Sequence, residues 1–217
     1  HLERVIGEGS GGMRRAADRI EINPGERENR VRRMSDALQV KGFAWLNLLH
    51  YVREQWGDDT LKELARAFPA DAAQFDPASV LPIGWIPGRL HIGALEWLVK
   101  NRHEGTLQNA QTVGRGLAER NLAGTFRSLT RLEDLKLALT STERAFSQFY
   151  SLGKMKLTLT GELLDAQLTE FPNPTPLFGN VLGAGMVAFL RAGHIDAKLN
   201  TVTVGPSSIS YQVKVSL

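Results

Sequence analysis

Lys154-Met155-Lys156-Leu157-Thr158-Leu159-Thr160 alternates polar and apolar side chains, and after Gly161-Glu162 the alternation returns through Leu164, Ala166 and Leu168. A period of two is the signature of a half-buried strand. Gly161-Glu162, with glycine first, is the two-residue turn that a type II′ hairpin prefers. A Pro172/Pro174/Pro176 loop leads into a helical stretch with Phe178, Leu182, Gly185 and Phe189 on one face, and Gly193 stops it. Lys198–Val204 and Ser208–Leu217 then read as two further strands, the last with Ile209, Tyr211, Val213, Val215 and Leu217 all on one side.

Upstream the period is 3.6. Trp45, Leu49, Val52 and Trp56 recur on one helical face, and Gly57 ends that helix where a left-handed residue suits. Asp58 or Thr60 starts the next helix, with Thr60 and Glu63 spaced as a capping box, and it stops before Pro69. Pro87 suits the first turn of a third helix carrying Leu90, Ala94, Trp97 and Asn101 on one face. A fourth covers Leu107–Arg120. Thr130/Glu133 and Thr140/Glu143 are spaced as two more capping boxes, which predicts a short helix followed by one bearing Ala145, Phe149 and Leu152. The expected fold is therefore α+β: a helical N-terminal half packed on a four-stranded antiparallel sheet built by a C-terminal ββαββ unit.

Residues 1–35 differ in character and read as an Arg-rich leader or linker, leaving 36–217 as the domain. The first 33 residues hold eight arginines, six acids and no lysine, with a short helix expected near Met13–Ile20. The whole chain of 217 residues has a net charge of +3 and is 42% hydrophobic, ordinary for a protein with a real core. A body so balanced in charge lacks the concentrated basic face of a dedicated nucleic-acid binder. Cysteine is absent, which excludes disulfides and thiolate chemistry. The uncharged run from Pro172 to Leu190 is interrupted by Asn180 and three glycines, and its apolar part is too short to span a bilayer. With no secretory signal visible, a cytoplasmic location is expected.

Three segments carry a resemblance. Val40-Lys41-Gly42-Phe43 running into Trp45-Leu46-Asn47-Leu48-Leu49-His50-Tyr51-Val52, then Trp56-Gly57-Asp58-Asp59, resembles the opening of the haem nitric-oxide/oxygen-binding (H-NOX) family. The C-terminal ββαββ segment resembles the related vinyl-reductase-type and TRAPP-like ligand-binding domains. Trp85-Ile86-Pro87 through Tyr150-Ser151-Leu152-Gly153 looks most like an uncharacterised bacterial paralogue family of that superfamily. The resemblance implies a non-enzymatic signalling domain that binds a small apolar ligand or a partner protein, and pairing into a homodimer. Haem-binding members of the family carry a ligating histidine late in the helical half, whereas residues 104–193 here contain none. Their Tyr-x-Ser-x-Arg clamp is also unmatched by Tyr150-Ser151-Leu152-Gly153-Lys154. Neither haem nor another cofactor is expected.

The expected ligand site lies between the helical half and the Gly179–Phe189 helix, formed by Trp85, His91, Trp97, Phe178 and Leu182. His91 opens the third helix among apolar neighbours. It and His103 are twelve residues apart and His50 stands alone, so no histidine pair has metal-ligand spacing. Gly7, Gly9 and Gly12 fit G-x-G-x-x-G but lack the surrounding strand–helix–strand unit that would aim amides at a phosphate. Arg14, Arg15 and Arg19 suggest an alternative function, an effector whose leader captures a phosphorylated messenger such as a cyclic dinucleotide, or a nucleic acid. Arg15-x-x-x-Arg19 matches the first half of the PilZ-type motif, and the second half is missing. No Gly-x-Ser-x-Gly elbow and no nucleophilic cysteine offer catalysis a starting point.

Overall fold

A computed structural model of the chain describes residues 37–124 and 135–216. The leader with its three candidate arginines, the Met13–Ile20 helix and the Thr130/Glu133 capping box lie outside the described residues.

The helical half opens with strand β1 (Gln39–Lys41), which turns directly into α1 (Gly42–Trp56). Helix α2 (Asp58–Ala67) follows at once, because Gly57 adopts φ +80°, a backbone that favours glycine. Two 3-10 turns (Pro69–Phe75 and Pro77–Ser79) lead to β2 (Trp85–Pro87), α3 (Gly88–Arg102), α4 (Leu107–Ala123) and α5 (Leu135–Phe149). The sheet strands β3 (Lys154–Thr160) and β4 (Leu163–Thr169) come next, then α6 (Pro176–Ala192), β5 (Asp196–Gly205) and β6 (Ser208–Ser216).

The four C-terminal strands form one antiparallel sheet in the order β3-β4-β6-β5. Register follows the apolar pattern: Leu157 faces Ala166, Ala166 faces Tyr211, and Leu168 faces Ile209. Gly161 turns the first hairpin at φ +60°. Strand β5 is longer than its alternation suggests, because a bulge between Leu199 and Thr201 resets the phase. Ala197 and Leu199 oppose Val215 and Val213 before it; Val202 and Val204 oppose Tyr211 and Ile209 after it.

Helix α6 covers the inner face of this sheet. A Cβ on Gly179 would lie 3.1 Å from Val204, and one on Gly183 would lie 2.8 Å from the Tyr211 ring. On its other side α6 meets α4 so closely that a Cβ on Gly114 would stand 2.0 Å from the Val181 carbonyl oxygen. The face Phe178/Leu182/Gly185/Phe189 therefore looks away from the sheet. Gly179 and Gly183 pack on the strands, whereas Gly185 does not.

The two-stranded pairing of β1 with β2, Val40 opposite Ile86, lies outside the expected elements. Val40 also bridges Tyr150, and the Ser151 amide donates to the Gln39 carbonyl at 2.9 Å, which ties the start of the helical half to the entry of the sheet. Two amides in the first turn of α1 donate to carbonyls of the loop before β2: Gly42 to Gly84 at 2.9 Å and Phe43 to Pro82 at 2.8 Å. They are thereby satisfied without a side-chain cap.

The capping-box expectations do not hold where they are described. Gly57, not Thr60, caps α2; Thr60 is buried one turn in, donates to the Trp56 carbonyl at 3.3 Å and accepts from Arg102 at 3.2 Å. Thr140 and Glu143 lie inside one continuous α5. There the Thr140 hydroxyl donates back to the Lys136 carbonyl at 2.9 Å, a helix-interior option open to threonine. Glu143 accepts from the Leu157 amide at 2.7 Å and so pins α5 to β3. Pro87 stands one residue earlier than expected, as the N-cap of α3. The buried face of α3 is Leu90, His91, Ala94, Leu95, Leu98 and Val99, with Trp97 and Asn101 at its edge.

Candidate functional site: an apolar cavity under α6

Small residues converge where α4, α5 and α6 meet. Gly114 and Ala118 on α4, Ala145 on α5 and Gly185 on α6 leave the space between the helices unfilled, a cavity of about 110 Å³. Leu117 and Val181 add aliphatic wall, Phe146, Phe149 and Phe178 add ring surface, and Met155 and Met186 supply thioethers. For scale, an engineered cavity of about 150 Å³ with such a lining stays dry and takes up benzene or xenon.

Four polar side chains touch this space: His91, Asn121, Thr142 and Tyr150. His91 is buried on α3, edge-on to Trp45 at 6.1 Å and to Tyr150 at 5.9 Å. Its Nδ1 lies 3.4 Å from the Tyr150 hydroxyl, a long hydrogen bond. Burial pushes the imidazole down to about 4, so it is neutral, and burial pushes the Tyr150 hydroxyl up. Tyr150 is held on three sides by aromatic rings, with centroids 5.2 Å from Phe146, 5.6 Å from Phe171 and 6.0 Å from Phe178. The Thr142 hydroxyl donates to the Ala138 carbonyl at 2.9 Å, and Asn121 accepts from Asn47. The buried Tyr211 hydroxyl, also raised by burial, has no partner among the described residues.

Of the five residues expected at a ligand site, His91, Phe178 and Leu182 line this cavity. Trp85 and Trp97 are not among its lining residues. Trp85 is 43% exposed and carries Lys41 Nζ 4.0 Å above its ring; Trp97 carries the Arg102 guanidinium at 5.3 Å. Tyr150, Thr142 and Asn121 escaped the sequence reading. The available signal was the small-residue spacing Gly114-x-x-x-Ala118-x-x-Asn121, which sets a polar group beside a gap on one face of α4.

No protein-family model matches the chain, and no curated protein matches it either. Solved structures do. An Fe(II) unliganded H-NOX protein from K. algicida superposes with a TM-score of 0.59 at 12% identity, covering 82% of this chain and 97% of that one. An H-NOX protein from S. oneidensis in the Fe(II)NO ligation state gives 0.60 at 9% identity, covering 82% and 99%. The chain is an α+β protein that shares its fold with these H-NOX structures. Identity this low carries the fold and nothing of the chemistry.

Haem does not fit the residues present. Among the described residues the lining holds one histidine, His91, and no arginine or lysine to meet two propionates. Its volume of about 110 Å³ falls well under the 300–1,000 Å³ of ordinary ligand and cofactor sites. Among the described residues no three His, Cys, Asp or Glu side chains gather to hold a metal ion, and no helix is long and apolar enough to cross a membrane.

Proposed function

We propose that this chain is a non-enzymatic sensor or interaction domain that takes a small apolar molecule into the cavity between α4, α5 and α6. The observation that carries this reading is a void of about 110 Å³ walled almost wholly by carbon, at the junction of the helical layer and the helix that covers the sheet. A ligand there touches three helices and β3 at once, so its binding energy favours one arrangement of the layers over others. The ionisable groups at the cavity support the non-enzymatic part. His91 and Tyr150 are both displaced away from neutrality, where a general acid or base works best. Recruitment of a partner protein and pairing of two copies belong to the same proposal, as outputs of the occupied state.

Two of the four methionines, Met155 and Met186, line the cavity and provide a direct readout. In protein labelled with 13C at the methionine methyls, titration with toluene is expected to shift the Met155 and Met186 signals saturably. Signals that stay in place up to the solubility limit of toluene would remove the cavity as a ligand site.

A further inference from the structure

We infer that the natural ligand of the cavity is a neutral molecule of about five to eight non-hydrogen atoms, bearing one hydrogen-bond-acceptor oxygen that meets a donor left unused by His91 and Tyr150. This rests on the cavity reading above and narrows it.

The donor count does not depend on the histidine tautomer. If the Tyr150 hydroxyl donates to Nδ1 across the 3.4 Å gap, the imidazole proton sits on Nε2, and Nε2 has no partner among the described residues. If Nδ1–H donates to Tyr150 instead, the phenolic proton is the one left over. Either way the pair closes one hydrogen bond and keeps one spare N–H or O–H at the cavity wall. Both residues line the space, so a ligand offering an oxygen to that donor gains a hydrogen bond that a hydrocarbon of the same shape lacks. Thr142 does not compete, because its proton is committed to Ala138; Asn121 accepts from Asn47, and its own amide N–H is a second donor at the wall that a His91/Tyr150 substitution leaves in place. A carboxylate or phosphate is disfavoured, since among the described residues no lysine or arginine lines the space and a buried anion there would stand unpaired. Small ketones, cyclic ethers and similar neutral oxygenates remain.

The test uses the full chain with cyclopentanone and methylcyclopentane, six non-hydrogen atoms each and nearly the same shape. Hydrophobicity favours the hydrocarbon, so the decisive quantity is how the ratio of the two dissociation constants changes on substitution. In His91→Leu/Tyr150→Phe, which removes both donors, cyclopentanone is expected to lose about five- to tenfold relative to methylcyclopentane. An infrared measurement on the unaltered protein covers the case in which the double variant does not fold. There the carbonyl stretch of bound cyclopentanone should lie at lower wavenumber than in a hydrocarbon solvent. An unchanged ratio in a folded double variant, or a stretch at the hydrocarbon position, overturns the inference while leaving the cavity reading intact. If neither compound binds, both fall.

Discussion

At neutral pH the His91 imidazole carries no charge, because burial against Trp45 and Tyr150 lowers its pKa from 6.5 to about 4. In the unfolded chain the same group takes up a proton near pH 6.5, and in the folded chain only near pH 4. Stability from this source is therefore complete above about pH 6.5 and is lost as the pH falls toward 4, amounting to about 3 kcal/mol over the window. Carboxylates titrate in the same range, so the difference between the unaltered protein and His91→Leu isolates the effect. Urea unfolding at pH 7.5 and pH 4.5 is expected to show a drop about 2–3 kcal/mol smaller in the variant; equal drops would mean that His91 is not buried as described. His91 was legible in the sequence as a lone histidine among apolar neighbours. Its partner was not, because Tyr150-Ser151-Leu152-Gly153 reads as an imperfect match to a haem clamp, which gives no hint of a tyrosine enclosed by Phe146, Phe171 and Phe178. Trp85 was expected at the site because it stands at a loop-to-helix entry, and Trp97 because it lies on the helix that follows. Lys41, which covers the Trp85 ring, is brought near only in the folded chain, whereas Arg102 reaches Trp97 from the last turn of the same helix.

Two glycines of the α4–α6 contact make opposite predictions. Gly114→Ala would drive a methyl group to 2.0 Å from the Val181 carbonyl, a backbone atom that cannot step aside, so a loss of about 3 kcal/mol or more is expected in thermal or urea unfolding. At Gly185 the nearest atoms to an added Cβ are the Gly114 carbonyl at 3.7 Å and Ala118 at 3.9 Å, ordinary contacts. Gly185→Ala should therefore gain up to about 1 kcal/mol from helix propensity. It should also weaken toluene binding, because the new methyl group enters the cavity. Similar stabilities for the two variants would contradict the packing of these helices. Sequence pattern located nearly every described element, since periods of 2 and 3.6 report which face is buried. It misjudged what local chemistry decides. Thr140-x-x-Glu143 has the spacing of a helix start, yet Thr140 bonds back to Lys136 and Glu143 reaches across to the Leu157 amide, so one helix runs through. The Asn200 bulge broke the alternation of β5 and concealed its length, and β1 with β2 is too short at three residues each to show a period.

At the scale of the whole molecule, four antiparallel strands, a covering helix and a helical layer clasped to the sheet by Val40 and Tyr150 give the H-NOX fold. That architecture was readable from Lys154 onward. The cavity was only half readable, because an empty space is fixed by side chains that are absent, and Gly114, Ala118, Ala145 and Gly185 come together from three separate helices. Where a haem site would need cationic partners, the described residues here leave a benzene-scale, nearly all-carbon space. Xenon tests that claim most directly, since it enters dry apolar cavities and is strongly visible to X-rays. In crystals pressurised with xenon, a bound atom is expected between Ala118, Phe146 and Met186 with the surrounding side chains unmoved. Ordered water in that space, or side chains packed across it with no xenon, would contradict it.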